Sequence, residues 1–296
     1  MAKIKEGGLS TALQQLDRRW IFLLVAVGAI LPILFPIGLS VTVTPPVRDL
    51  FDRIESLTPD DVVMVSFDYG PTTKPENGPM AAAVLRHCLA RRVKVVVLAL
   101  FPIGGGAMAT EELDRVAAEF PTLRYGTDFV NLGYKDGGQA SMKQMGEDIA
   151  RVFPSDSRGT PLSRLPLMQK VRNYRDIKLV VSLATGIIGD WWINLINAQF
   201  GTPVAVGCTA VSAPKFYAYY DSHQMIGLLG GLKGASEYER LLLDAYPQVK
   251  PVYDNPMIFN AMRGMDVQTI IHAIIIGFII IGNVAYFLGR SRAARV

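Results

Sequence analysis

Val62-Val-Met-Val-Ser-Phe67 carries no charge and only one polar residue, Ser66. A run this short and this continuous suits a strand covered on both faces, as the strands of a parallel sheet are. Asp68, Gly70, Pro71, Pro75 and Gly78 follow it directly, a turn-rich stretch that ends the strand. Beyond that, Pro79 to Arg92 has a helical stripe through Met80, Val84 and Cys88, with His87 read as a surface residue.

The same alternation repeats downstream. Val93–Phe101 reads as a second strand. Residues 110–120 read as a helix capped by Thr110, with Glu111 and Glu112 in the first turn, where carboxylates suit the helix dipole. Leu123–Val130 is a weaker third strand, and 139–152 is a helix. Residues 153–166, rich in Pro, Ser, Arg and Asp, read as an exposed loop, and Leu167–Tyr174 as a short helix. Lys178–Ala184 and Pro203–Cys208 are the fourth and fifth strands, with a helix over 187–200 between them. Ser236 and Glu239 have the spacing of a capping box, which predicts a helix from there through Ala245.

Strands alternating with helices predict an α/β fold with a doubly wound, mainly parallel sheet, Rossmann-like or flavodoxin-like in architecture. The resemblance is architectural only. Gly-x-Gly-x-x-Gly and the P-loop spacing are both absent, so no site residue is carried over from a family.

Further out, two apolar stretches bracket this domain. Ile21–Val43 has no charged residue, and Val267–Leu288 has His272 as its only group titrating near neutrality. Each is long enough to cross a bilayer as a helix. The first reads as an uncleaved signal anchor, too long in its apolar run for an ordinary cleaved signal. Pro32 and Pro36 predict a kink within it. Lys3, Lys5, Arg18 and Arg19 precede the first stretch, and Arg290, Arg292 and Arg295 follow the second. By the rule that Lys and Arg stay inside, segments 1–20 and 289–296 are expected in the cytoplasm and the 44–266 domain outside it, periplasmic in a bacterium.

The charge distribution removes a nucleic-acid reading. The chain has 30 Lys and Arg against 26 Asp and Glu. Without the two terminal segments the balance is 23 against 24, with signs interspersed. The basic surplus therefore sits at the membrane edges, where the expected partner is lipid. Cys88 and Cys208 read as buried small hydrophobes, and no Cys/His spacing suggests a metal. The sequence implies no cofactor and no catalytic set: the Gly-x-Ser-x-Gly elbow is missing, and His223 beside Asp221 and Ser222 does not make a triad by adjacency.

Candidate ligand residues stand where the strands end, since open α/β sheets bind there. They are Asp68, Lys74 and Glu76 after the first strand and Gly104 and Gly105 after the second. Thr185 and Asp190 follow the fourth, and Thr209 follows the fifth. Candidate interface residues are Trp191 and the aromatic cluster Phe216, Tyr217, Tyr219 and Tyr220, with Met225 beside a glycine-rich run. Two functions compete. One is a membrane-anchored structural or assembly subunit of a homo-oligomer or larger membrane complex. The other is a small-molecule-binding domain with its site at the strand ends.

Overall fold

The computed structural model describes residues 17–35, 37–38, 42–255 and 257–293. The chain divides into two compact units, residues 40–262 and residues 1–39 with 263–296.

The larger unit holds one sheet of six parallel strands in the order β3-β2-β1-β4-β5-β6. The chain enters it through helix α1 (Arg18–Leu34) and helix α2 (Pro45–Glu55). Strand β1 (Val62–Asp68) is buried at all seven positions and leads to helix α3 (Lys74–Ala90). Then come β2 (Lys94–Ala99), α4 (Gly105–Ala117), β3 (Phe129–Tyr134) and α5 (Gly138–Glu147). Strand β4 (Leu179–Ala184) is followed by α6, an α turn (Ile188–Trp191), a π segment (Trp192–Asn197) and a last turn (Ala198–Phe200). Strand β5 (Val204–Cys208), α7 (Ala213–Asp221), β6 (Gly227–Gly230) and α8 (Gly231–Ala245) complete the unit. The chain leaves through α9 (Ala261–Ala293).

Alternate strand residues feed two cores, as the period of two requires. Val63, Val65 and Phe67 face α2, α3, α4 and α8. Met64, Val96 and Val206 face α5, α6 and α7. The sheet is thus wound on both faces, in the Rossmann strand order, with its switch point between β1 and β4.

Several expectations need correcting. Helix α3 begins at Lys74, because Pro71–Thr73 forms a 3-10 turn that launches it early. It is buried continuously from Asn77 to Leu89, so no surface side exists for His87. A helix packed on every side has no polar stripe to read. Helix α4 starts at the glycines, not at Thr110. Strand β3 begins at Phe129, six residues later than Leu123. No helix forms over Leu167–Tyr174, and Phe153, Leu162 and Leu165 of the expected exposed loop are buried. There Asp156 replaces secondary structure, accepting from the backbone of Arg158 and Thr160 and from the Tyr125 hydroxyl. Helix α8 starts at Gly231, so Ser236 and Glu239 lie inside it and do not cap it.

In the smaller unit, α9 contains a stretch, Ala261–Phe287, long and apolar enough to cross a bilayer. It is the only such helix among the described residues. The expected first span is shorter than Ile21–Val43: α1 ends at Leu34 after 17 residues, about 26 Å at 1.5 Å per residue. The N–H groups of Ile37 and Gly38 turn away from the helix to Asp266 Oδ2, each at 2.9 Å. Residues 1–16, 36, 39–41 and 294–296 lie outside the described residues, and with them much of both basic flanks.

Candidate functional site

The carboxyl ends of β1 and β4 form the switch point, and Asp68 is the last residue of β1. Its carboxylate is fully buried. Oδ1 accepts from Ser66 Oγ at 2.8 Å and from the Leu100 N–H at 3.1 Å. Oδ2 accepts from Ser182 Oγ and Trp192 Nε1, both at 2.8 Å. Four donors from β1, the end of β2, β4 and α6 therefore meet on one side chain. Burial raises its pKa, and the donors oppose that rise. Asp68 joins the elements of the switch point and offers no face to a ligand.

The turn after β1 has few free donors at its start. Pro75, at the start of α3, has no N–H, and the Lys74 N–H is already bonded to the Pro71 carbonyl. Glu76 in the first turn accepts the Ala210 N–H at 2.8 Å, so α3's own carboxylate ties the β1 turn to the loop after β5. An anion at this helix N-terminus would meet like charge where a phosphate cradle supplies donors. The triple glycine is a packing device. Gly104 caps α4 at a φ of 85°, and a Cβ on Gly105 would stand 2.8 Å from the Phe67 carbonyl.

The remaining candidates are engaged within the fold. Lys74 pairs with Glu111 at 2.6 Å. Asp190 pairs with Lys215 at 2.6 Å. Thr185 Oγ1 donates to the Asp68 carbonyl at 3.2 Å, and Thr209 Oγ1 bonds Ser212 Oγ at 3.3 Å. Asp68, Glu76, Thr185 and Thr209 thus share one edge of the sheet, but as its fastening.

The aromatic cluster is absorbed the same way. Phe216 and Met225 are buried in the second core. Trp191, Tyr219 and Tyr220 pack half-buried against it, and Trp192 is wholly buried. Tyr219 Oη bonds Asn194 and Asp190, and Tyr220 donates to Asp49. Of the expected interface residues only Tyr217 is exposed. Both cysteines are free and buried, on opposite faces of the sheet. Among the described residues no group of His, Cys, Asp and Glu is arranged to hold a metal ion.

Three apolar side chains face solvent at this edge, among exposed polar residues such as Thr72, Lys135 and Asp136. Ile103 after β2 is 70% exposed, Ile187 after β4 is 57% exposed, and Val211 after β5 is 91% exposed.

Three polar assemblies escaped the sequence reading. His87 bonds Tyr238 Oη through Nδ1 at 2.6 Å and Glu55 Oε1 through Nε2 at 2.8 Å, with the Phe51 ring stacked on it at 4.3 Å. Burial lowers its pKa to about 4, so the ring is neutral at pH 7. Glu237 of α8 accepts the N–H and hydroxyl of Thr44, where the chain enters the unit, and also pairs with Lys233. Glu239, two residues on, accepts the N–H groups of Ala261 and Met262 at 3.0 and 2.9 Å, capping α9 where the chain leaves. Burial pushes the Glu239 carboxyl up to about 7. The glutamate at a capping-box spacing thus caps a helix, though a different one from that predicted.

No family model matches this chain, and neither a curated protein nor a solved structure matches it. Function rests on the geometry alone.

Proposed function

We propose that this chain is a membrane-anchored structural or assembly subunit, whose α/β domain docks on other copies of itself or on a larger membrane complex through the carboxyl-end edge of the sheet. The observation that carries this reading is three exposed apolar side chains on the loops of that edge. Glu76, Thr185 and Thr209 are bonded within the fold, while Ile103, Ile187 and Val211 project into solvent on three loops of one edge. Apolar tips grouped in this way suit a protein surface better than they suit water. Anchoring in a bilayer confines the copies to a plane, where identical subunits close most readily into rings. The basic flanks favour both termini in the cytoplasm and the domain on the far side.

The competing reading, a small-molecule site at the strand ends, is opposed by Glu76 and Pro75. They set negative charge and a missing donor where an anionic ligand would need N–H groups. Mass photometry of the full chain in mild detergent tests the proposal. The expected result is a defined oligomer that Ile103→Asp, Ile187→Asp and Val211→Asp together convert to monomer. A wild-type chain that is monodisperse and monomeric sinks it.

A further inference from the structure

Helix α9 holds the stretch able to cross a bilayer, and its polar residues are not scattered. Between Val267 and Phe287 they are Gln268, Thr269, His272, Asn283 and Tyr286. At about 3.6 residues per turn, all five fall within an arc of about 100°. Thr269, His272, Ile276, Ile279, Asn283 and Tyr286 follow one another in steps of three and four, a single stripe down the helix. The stripe is exposed along its whole length. Among the described residues, none of the five polar side chains makes a hydrogen bond.

The opposite face belongs to α1. A Cβ on Gly28 would stand 2.5 Å from Ile274 Cδ1 and 3.3 Å from Ile270 Cγ2, so α1 lies close against those two side chains. Ile270 and Ile274 stand about 160° to 200° round the helix from His272, which puts the stripe out of reach of α1. Hydrocarbon offers a polar side chain no partner, so polar residues of a span turn toward protein. His272 and Asn283 are about 17 Å apart along the helix axis, so a core of about 30 Å takes in both.

A second α9 meets what the stripe requires. Insertion fixes one direction for every copy, which brings each residue level with its own counterpart. A carboxamide and a hydroxyl each donate and accept, so each pairs with its own kind, and so does a neutral imidazole. No Lys, Arg, Asp or Glu lies on the stripe to repel its copy. Steps of three and four residues suit helices crossing at about 20°. We infer that α9 packs in parallel against α9 of a second copy along this stripe, with Asn283 bonding Asn283 of the partner subunit. Resting on the membrane-anchored reading above, this contact is separate from the strand-end edge.

Single cysteines placed along 270–284 of the full chain, oxidised with copper phenanthroline in the membranes of the expressing cell, test the inference. Cys88 and Cys208 are buried and set the background. Disulfide-linked dimer is expected to peak at Ile276→Cys and Ile279→Cys, above Ile275→Cys and Ile280→Cys on the flanks of the stripe. Asn283→Leu keeps the span apolar and should cut the Ile276→Cys dimer about threefold or more, the worth of one hydrogen bond between helices in lipid. Asn283→Gln still pairs with itself and should restore most of it. The peak should also survive Ile103→Asp, Ile187→Asp and Val211→Asp together. A flat profile, a product joining the chain to another protein instead of to itself, or a dimer indifferent to Asn283→Leu overturns the inference. A flat profile on a chain that still forms oligomers leaves the strand-end reading standing, whereas a chain stripped from membranes by alkaline carbonate overturns both.

Discussion

Two fully buried carboxylates, Asp68 at the sheet's switch point and Glu239 in α8, solve the same problem differently. Asp68 is met by four donors from four elements. Glu239 is met by two backbone N–H groups of a single helix start. Burial raises both, and it pushes Glu239 up to about 7. Each donor favours the charged form and so opposes the rise that burial imposes. Asp68 locks the sheet, while Glu239 holds the segment leaving the domain at a strength that depends on pH.

The largest effect expected from breaking this contrast is Asp68→Ala. It orphans four buried donors at once and should cost at least about 3 kcal/mol, read as the fall in unfolding free energy or as failure to accumulate folded protein. A loss under about 1 kcal/mol would show that Asp68 is not the fastener.

The pH dependence comes next. Glu239 has a folded pKa near 7 against an ordinary 4.5. Between those values the folded state holds the extra proton, so this group's contribution falls as pH rises through that window. His87 has a folded pKa near 4 against an ordinary 6.5, so its contribution rises with pH between 4 and 6.5. Each is worth on the order of 3 kcal/mol across its window, and over the shared range they oppose each other. The wild-type melting temperature should therefore vary little from pH 5 to 6.5. Glu239→Gln should make it climb with pH, and His87→Gln should make it fall. Parallel curves for the two variants would contradict the assignment.

Smaller effects test the strand-end edge. Glu76→Ala frees the Ala210 N–H and should cost about 1 kcal/mol, measured by chemical denaturation. It also removes the charge that opposes an anion at the start of α3. If inorganic phosphate at millimolar concentration stabilises this variant and not the parent, Glu76 is what closes that crevice. Lys215→Ala breaks an exposed pair with Asp190 and should move stability by no more than about 0.5 kcal/mol. A larger loss would mean that the loop after β4 depends on that pair.

Legibility in the sequence followed local pattern. β1, β2, β4 and β5 are continuous apolar runs, because both faces of a parallel strand are covered, and each is found where it was read. β6, Gly227-Leu-Leu-Gly, was missed because two of its four residues are glycine and its run is too short for a period. The aromatic stretch 216–220 reads as an interface in the sequence because its neighbours in space are not visible there. The sheet face, Asp49, Asp190 and Asn194 account for most of it.

The sequence by itself determined the α/β class, the apolar stretch that becomes α9 and the near-neutral charge of the domain, all properties of composition and short-range periodicity. Only the tertiary structure showed that four donors meet on Asp68 and that Glu76 accepts the Ala210 N–H. It alone showed that His87 is buried, and that Ile103, Ile187 and Val211 share one edge. Those facts depend on which strands lie side by side, and β1 meets β4 across more than a hundred residues of chain. No local pattern encodes a pairing at that separation.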